Sequence, residues 1–116
     1  MITNNDVLAE SLALPCGAVI PNRLCKAAMT EGIADEYNRA TDEHLKLYKA
    51  WSEGGAGLLI SGNVQVDRRY LERPGNIAID GNQDEEQLKR LKGLAKAGTT
   101  NGNHFWVQLS HAGRQT

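Results

Sequence analysis

Cysteine is scarce. Two in 116 residues, Cys16 and Cys25, exclude a disulfide-stapled scaffold, and their spacing matches no metal motif, so free thiols are expected. Charge of one sign is not in excess either. Thirteen Lys+Arg stand against 14 Asp+Glu for a net charge of −1, so the basic patch that nucleic acids require is missing. No apolar run approaches the ~20 residues that span a bilayer, and no basic-plus-apolar leader opens the chain. The expectation is a soluble, cytoplasmic protein with no nucleic-acid or membrane partner. No Gly-x-Gly-x-x-Gly follows an apolar run, which argues against an open dinucleotide-binding sheet. Carboxylate pairs, His clusters at metal spacing and internal repeats are absent too, and the length allows one domain at most.

What is present is a threefold pattern. Leu24-Cys25-Lys26-Ala27-Ala28-Met29-Thr30, Gly57-Leu58-Leu59-Ile60-Ser61-Gly62-Asn63 and His104-Phe105-Trp106-Val107-Gln108-Leu109 each read as an apolar strand with a polar group at or near its C-terminal end. In parallel α/β folds that end carries the chemistry. Thr30, Asn63 and Gln108 would then form one wall of a site.

Two amphipathic segments separate these strands. Thr41 is a good N-cap, followed by Asp42 and Glu43, with Leu45, Leu47, Tyr48 and Trp51 at helical spacing and Gly54-Gly55 as a stop. A second helix starts near Asp84, with Leu88, Leu91, Leu94 and Ala95 on one face and Gly98 past its end. Ahead of them, residues 12–20 turn around Pro15-Cys16-Gly17 as a β-hairpin, and Arg23 to Met29 forms the first buried strand. Residues 1–11 read as a loosely held arm and 12–116 as the folded part. Single helices between short strands require parallel pairing with right-handed crossovers. The fold class is therefore α/β, a β-hairpin followed by β-α-β-α-β, the N-terminal segment of a (β/α)8 TIM barrel, which takes about 250 residues when complete. Residues 64–83 form a connection far longer than the usual about two to six, a candidate lid or oligomer contact holding Arg68, Arg69 and Arg73-Pro74-Gly75-Asn76.

Gln108 carries the sharpest signal: an amide inside an apolar run must find partners or lose about 1–3 kcal/mol. As a satisfied core amide it would bond neighbouring backbone. His111 and Arg114 add a titratable ring and a fixed cation nearby. His44, in the first turn of a helix, reads as structural, and His104 carries no argument. Ser110 and His111 make no triad, since adjacent residues on an extended chain point apart.

Four motifs occur in order: Ile20-Pro21-Asn22-Arg23-Leu24, Ala28-Met29-Thr30, Gly54-Gly55-Ala56-Gly57-Leu58-Leu59-Ile60 and Val107-Gln108-Leu109-Ser110-His111-Ala112-Gly113-Arg114. Together they resemble the N-terminal third of the old yellow enzyme family, the NADH:flavin oxidoreductases. The resemblance implies a (β/α)8 barrel, closed at the bottom by the hairpin, that binds FMN at the top. NAD(P)H would be the reductant, and hydride would pass through the flavin to an electron-poor alkene such as an α,β-unsaturated carbonyl. It further implies that Ala28, Met29 and Thr30 line the flavin, with Thr30 reaching a ring carbonyl. Asn63 would lie alongside, and Gln108 would bond the pyrimidine side. Ala28 stands where proline is common. The family's substrate-binding pair, proton donor and phosphate-binding residues match no position here, so the catalytic residues remain unassigned. The alternative is a catalytically inactive barrel fragment that serves as an assembly module, pairing with a second copy or with a complementary fragment along exposed strands.

Overall fold

Leu14 closes the first turn. Its carbonyl accepts the Gly17 N–H at 2.9 Å and its N–H donates to Ala18 at 2.8 Å, so β1 (Leu12–Ala13) pairs antiparallel with β2 (Val19–Ile20). The computed structural model describes residues 6–115, Gln115 by its backbone alone. Within the expected arm, Asp6 caps a 3-10 turn over Val7–Ala9, and the Arg23 N–H donates to the Leu8 carbonyl at 2.9 Å. Residues 6–10 are thus tied to the hairpin's exit, while the first five residues lie outside those described.

Asn22 starts the main sheet. Its Oδ1 accepts the N–H of Leu24 at 3.0 Å and of Gly57 at 2.8 Å, and its Nδ2 donates to the Gly55 carbonyl at 2.8 Å. Gly57 has to be glycine here, because a Cβ would lie 2.8–2.9 Å from three Asn22 atoms. This contact sets β3 (Cys25–Lys26) parallel to the start of β4 (Leu58–Gln65). The helix α1 (Asp42–Glu53) makes the crossover, and His44 Nδ1 accepts the Thr41 backbone N–H at 3.0 Å. β6 (His104–Ser110) lies parallel to β4 on its other edge after the helix α2 (Glu85–Ala97).

The expected strand from Arg23 to Met29 shrinks to two residues. β4 bulges between Ile60 and Asn63, which breaks the register that β3 would need to continue. The long connection also differs from the expected unstructured one. β4 runs on to Gln65, and a two-residue strand, β5 (Ile77–Ala78), pairs with Val64 and Gln65 on the edge that β3 has left. Backbone bonds from Ala34 to Gly75 and from Ala78 to Asn38, both 2.9 Å, hold that connection in place. On α2 the buried face centres on Gln87 and Leu94, whereas Leu88 is exposed; Gln87 Nε2 turns inward to the Ala78 carbonyl at 3.1 Å.

The core lies between helices and sheet. Ala40, Tyr48, Leu59, Val64, Ile77 and Leu94 are buried together, with Leu45, Trp51 and Phe105 packed against them. Side chains alternate along strands, so Leu59, Val64 and Phe105 face the helices while Ile60, Asn63, Trp106 and Gln108 take the opposite face. Among the apolar residues of the three expected strands, Leu58 is buried and Leu24 and Ile60 are half-buried. Trp106 and Val107 are each 44% exposed and Leu109 is 66% exposed, so of the sheet's long strands β6 is the one left uncovered. Parallel strands need cover on both faces. The 116-residue chain is therefore expected to self-associate. Size-exclusion chromatography with light scattering checks this, and a sharp monomer at about 100 μM, tight enough to reject even weak pairing, overturns it.

Candidate active-site wall

The bulge in β4 brings the strand ends together. At Gly62 a Cβ would sit 2.4 Å from the Met29 carbonyl oxygen and 2.9 Å from Thr30 Cα, so only glycine lets the Met29-Thr30 backbone lie against the strand. Asn63 follows, and across the sheet it is the register partner of Gln108. The Gln108 N–H donates to Ser61 Oγ at 3.1 Å, which fixes β6 to the same bulge. Asn63 and Gln108 thus lie side by side on β4 and β6, and Thr30, in the irregular segment four residues past β3, has its backbone against Gly62 beside them.

Their exposures differ. Met29 is 49% exposed, Ala28, Thr30 and Asn63 are half-buried, and Gln108 is exposed. The expectation of a buried Gln108 is corrected here: β6 is an outer strand, and nothing among the described residues covers that stretch of it. The buried strand amide is Gln65, fully buried with neither amide atom hydrogen-bonded among the described residues. The same signal, an amide between valines, was available for it in the sequence.

Three polar groups that the sequence reading passed over hold this site from behind. Glu31 Oε2 accepts both the Tyr48 hydroxyl and, at 3.1 Å, the Gly62 N–H. Tyr48 is fully buried, stacked on Phe105 at 4.7 Å and edge-on to Trp51 at 5.0 Å. Burial, and secondarily its bond to Glu31, raise the Tyr48 phenol above its ordinary value. Lys26 Nζ donates to the Ile60 carbonyl at 2.6 Å and lies 4.3 Å over the Trp51 ring; burial lowers its ammonium below the usual range. Tyr48 stood in the sequence as one member of an apolar helical stripe, which hid its hydroxyl.

Other candidates fall to structural roles. His111 Nδ1 accepts the Gly113 N–H at 2.9 Å, and its ring lies against Tyr70. Arg114 is exposed within a 3-10 turn over Gly113–Gln115. His104 Nε2 bonds the Val19 carbonyl at 2.9 Å, tying the hairpin to the start of β6, the end opposite Gln108. His44, in the first turn of α1, is buried, and burial lowers its ring below the ordinary value. The arginines of the long connection are paired: Arg68 with Asp80, Arg69 with Asp67, Arg73 with Glu72. The Arg69 guanidinium holds the Asp67 carboxyl down at about 2.

The site offers two carboxamides side by side on the sheet and a hydroxyl beside the bulge. Such a set both donates and accepts, which suits a flat heteroaromatic ring carrying alternating carbonyl and N–H groups. The donor chemistry therefore fits a flavin. Two surface clefts, of about 440 and 530 Å³, lie beside α2 and include none of these residues. A wall of three strands is open, and a concavity needs facing strands. No helix among the described residues is long and apolar enough to cross a membrane.

Comparison with known proteins agrees. The family model described as "NADH:flavin oxidoreductase / NADH oxidase family" matches residues 17–116. The NADH-dependent flavin oxidoreductase iliE of Hypocrea jecorina is 39% identical over 105 residues, covering 90% of this chain and 26% of that protein. The chain thus spans about a quarter of the length of that relative. The old yellow enzyme from Trypanosoma cruzi superposes with a TM-score of 0.77 at 26% identity, over 94% of this chain and 28% of that one. A 2-naphthoyl-CoA reductase complex superposes with a TM-score of 0.84 at 22% identity, over 94% of this chain and 16% of the other. The architecture is accordingly that of an N-terminal piece of a (β/α)8 barrel.

Proposed function

The chain belongs to the NADH:flavin oxidoreductase / NADH oxidase family, and on that premise we propose that residues 12–116 form the opening wall of an FMN-dependent oxidoreductase of the old yellow enzyme type. Its substrate class would be an electron-poor alkene such as an α,β-unsaturated carbonyl. When bound, FMN supplies the hydride carrier between NAD(P)H and that alkene. The chain's own part is to hold and orient the ring. Thr30 Oγ1, which donates to Glu72 Oε2 at 3.2 Å, can turn the same hydrogen toward a ring carbonyl. Ala28 and Met29 line the ring beside it. Asn63 and Gln108 each present both halves of a carboxamide to its polar edge.

One observation supports this reading: the bulge at Ser61–Gly62 packs against the Met29-Thr30 backbone on one side and accepts the Gln108 N–H on the other, with Asn63 next to it. In the flavin-loaded natural protein, Gln108→Leu is expected to weaken FMN binding by about 1–3 kcal/mol, roughly five- to 150-fold, or to shift its potential correspondingly. Unchanged affinity and potential overturn the assignment.

A second reading has the chain act as an assembly module that pairs along β6 with another copy or a complementary barrel fragment. The 66% exposure of Leu109 favours it. The visible spectrum of the purified natural protein separates the two: flavin absorption selects the enzyme, and a colourless protein selects the module.

A further inference from the structure

We propose that Glu31 is the positioning residue of the flavin-facing wall. Its carboxylate would clamp the Met29-Thr30 turn to the β4 bulge and so fix where Thr30 Oγ1 meets the cofactor. The inference rests on the flavin reading above and adds a residue to it.

Three observations meet at this carboxylate. Glu31 follows Thr30 directly, so anchoring one anchors the other. A single oxygen, Oε2, receives both the Tyr48 hydroxyl and the Gly62 N–H, the latter at 3.1 Å. Neither donor is free to drift. Tyr48 is wedged between Phe105 and Trp51 in the core, and Gly62 sits where any Cβ would meet the Met29 and Thr30 backbone.

The same bulge reaches the other side of the site. Ser61, next to Gly62, accepts the Gln108 N–H at 3.1 Å. Glu31 thus fixes one flank of the bulge and Ser61 the other. Thr30 and Gln108, 78 positions apart in the chain (108 − 30), take their spacing from two adjacent residues of β4. A bulge re-aims side chains near a site, and the carboxylate keeps this one in a single setting.

Because both donors share one oxygen, a carboxamide can replace the carboxylate as clamp. Charge and position are therefore separable. In the flavin-loaded natural protein, Glu31→Ala and Tyr48→Phe are each expected to weaken FMN about tenfold, the size of one lost hydrogen bond to a charged group. Glu31→Gln is expected to stay within about threefold of the parent, since it keeps the acceptor. In all variants the Gly62 amide exchange rate should follow the affinity, rising with loss of the clamp and recovering in Glu31→Gln. Thr30→Val serves as the reference. A shift in flavin affinity or potential with Thr30→Val, together with parental values in Glu31→Ala or Tyr48→Phe, overturns the clamp and leaves the flavin reading standing. Parental values in all four variants remove Thr30 from the cofactor and overturn the clamp, while Gln108→Leu decides the flavin reading separately. Should Glu31→Ala not fold, Tyr48→Phe, which keeps the ring in the core, decides the question alone.

Discussion

Residues 1–116 by themselves are expected to hold FMN no more tightly than about 1 mM. Micromolar binding corresponds to about 8 kcal/mol. Against this, Thr30, Asn63 and Gln108 offer three hydrogen bonds worth about 0.5–1.5 kcal/mol each in net terms, and one face of a ring can rest on Met29. Charge adds little. A phosphate dianion draws on several free cations, yet Arg39, Arg68, Arg69, Arg73 and Arg90 are engaged by carboxylates of the same chain, and Arg114, exposed just past β6, is a single charge. Titration of the chain into FMN with fluorescence detection checks this. Stoichiometric quenching at a few micromolar by a monomer would show that three strands suffice.

Tyr48→Ala is expected to destabilise the chain by about 3–5 kcal/mol, the range for removing a large aromatic from a core. The ring is fully buried and touches Phe105, Trp51 and the Lys26 ammonium, the last at 5.4 Å. Its hydroxyl also holds Glu31 and receives the Gly62 N–H at 3.2 Å. Domains of this size are stable by only about 5–15 kcal/mol, and one with β6 uncovered lies near the lower end. The variant should therefore lose cooperative unfolding altogether. Urea titration followed by circular dichroism measures it, and a loss below about 1 kcal/mol contradicts the central place given to Tyr48.

Much of this was legible in the sequence because the signals are local. Thr41, Gly54 and Gly98 bound α1 and α2 where capping chemistry puts them. Asn63 and Gln108, expected at equivalent strand positions, are register partners on β4 and β6, whereas Thr30 lies past the end of the short β3. What escaped was non-local. The strand Ile77–Ala78 is too short for any period, and it exists because β3 gives up its edge at the bulge. Gln108 and Gln65 looked alike as amides in apolar runs, and only strand order decides which is buried. Glu31 gave no signal in the sequence because its partners lie 17 and 31 positions away.

β4 pairs with β3, with β5 and with β6, and these three pair with no one else in the sheet. The sheet is built like a hub with spokes, and that dictates an order of events during synthesis. The first 57 residues can make the hairpin and nascent helix, but no parallel ladder. When Leu58 to Gln65 leaves the ribosome, β3 and α1 gain a surface to close on. β5 joins soon after, and β6 last. Until β4 emerges, Tyr48 and Trp51 have no sheet to cover them, so that interval is when the nascent chain most needs a chaperone.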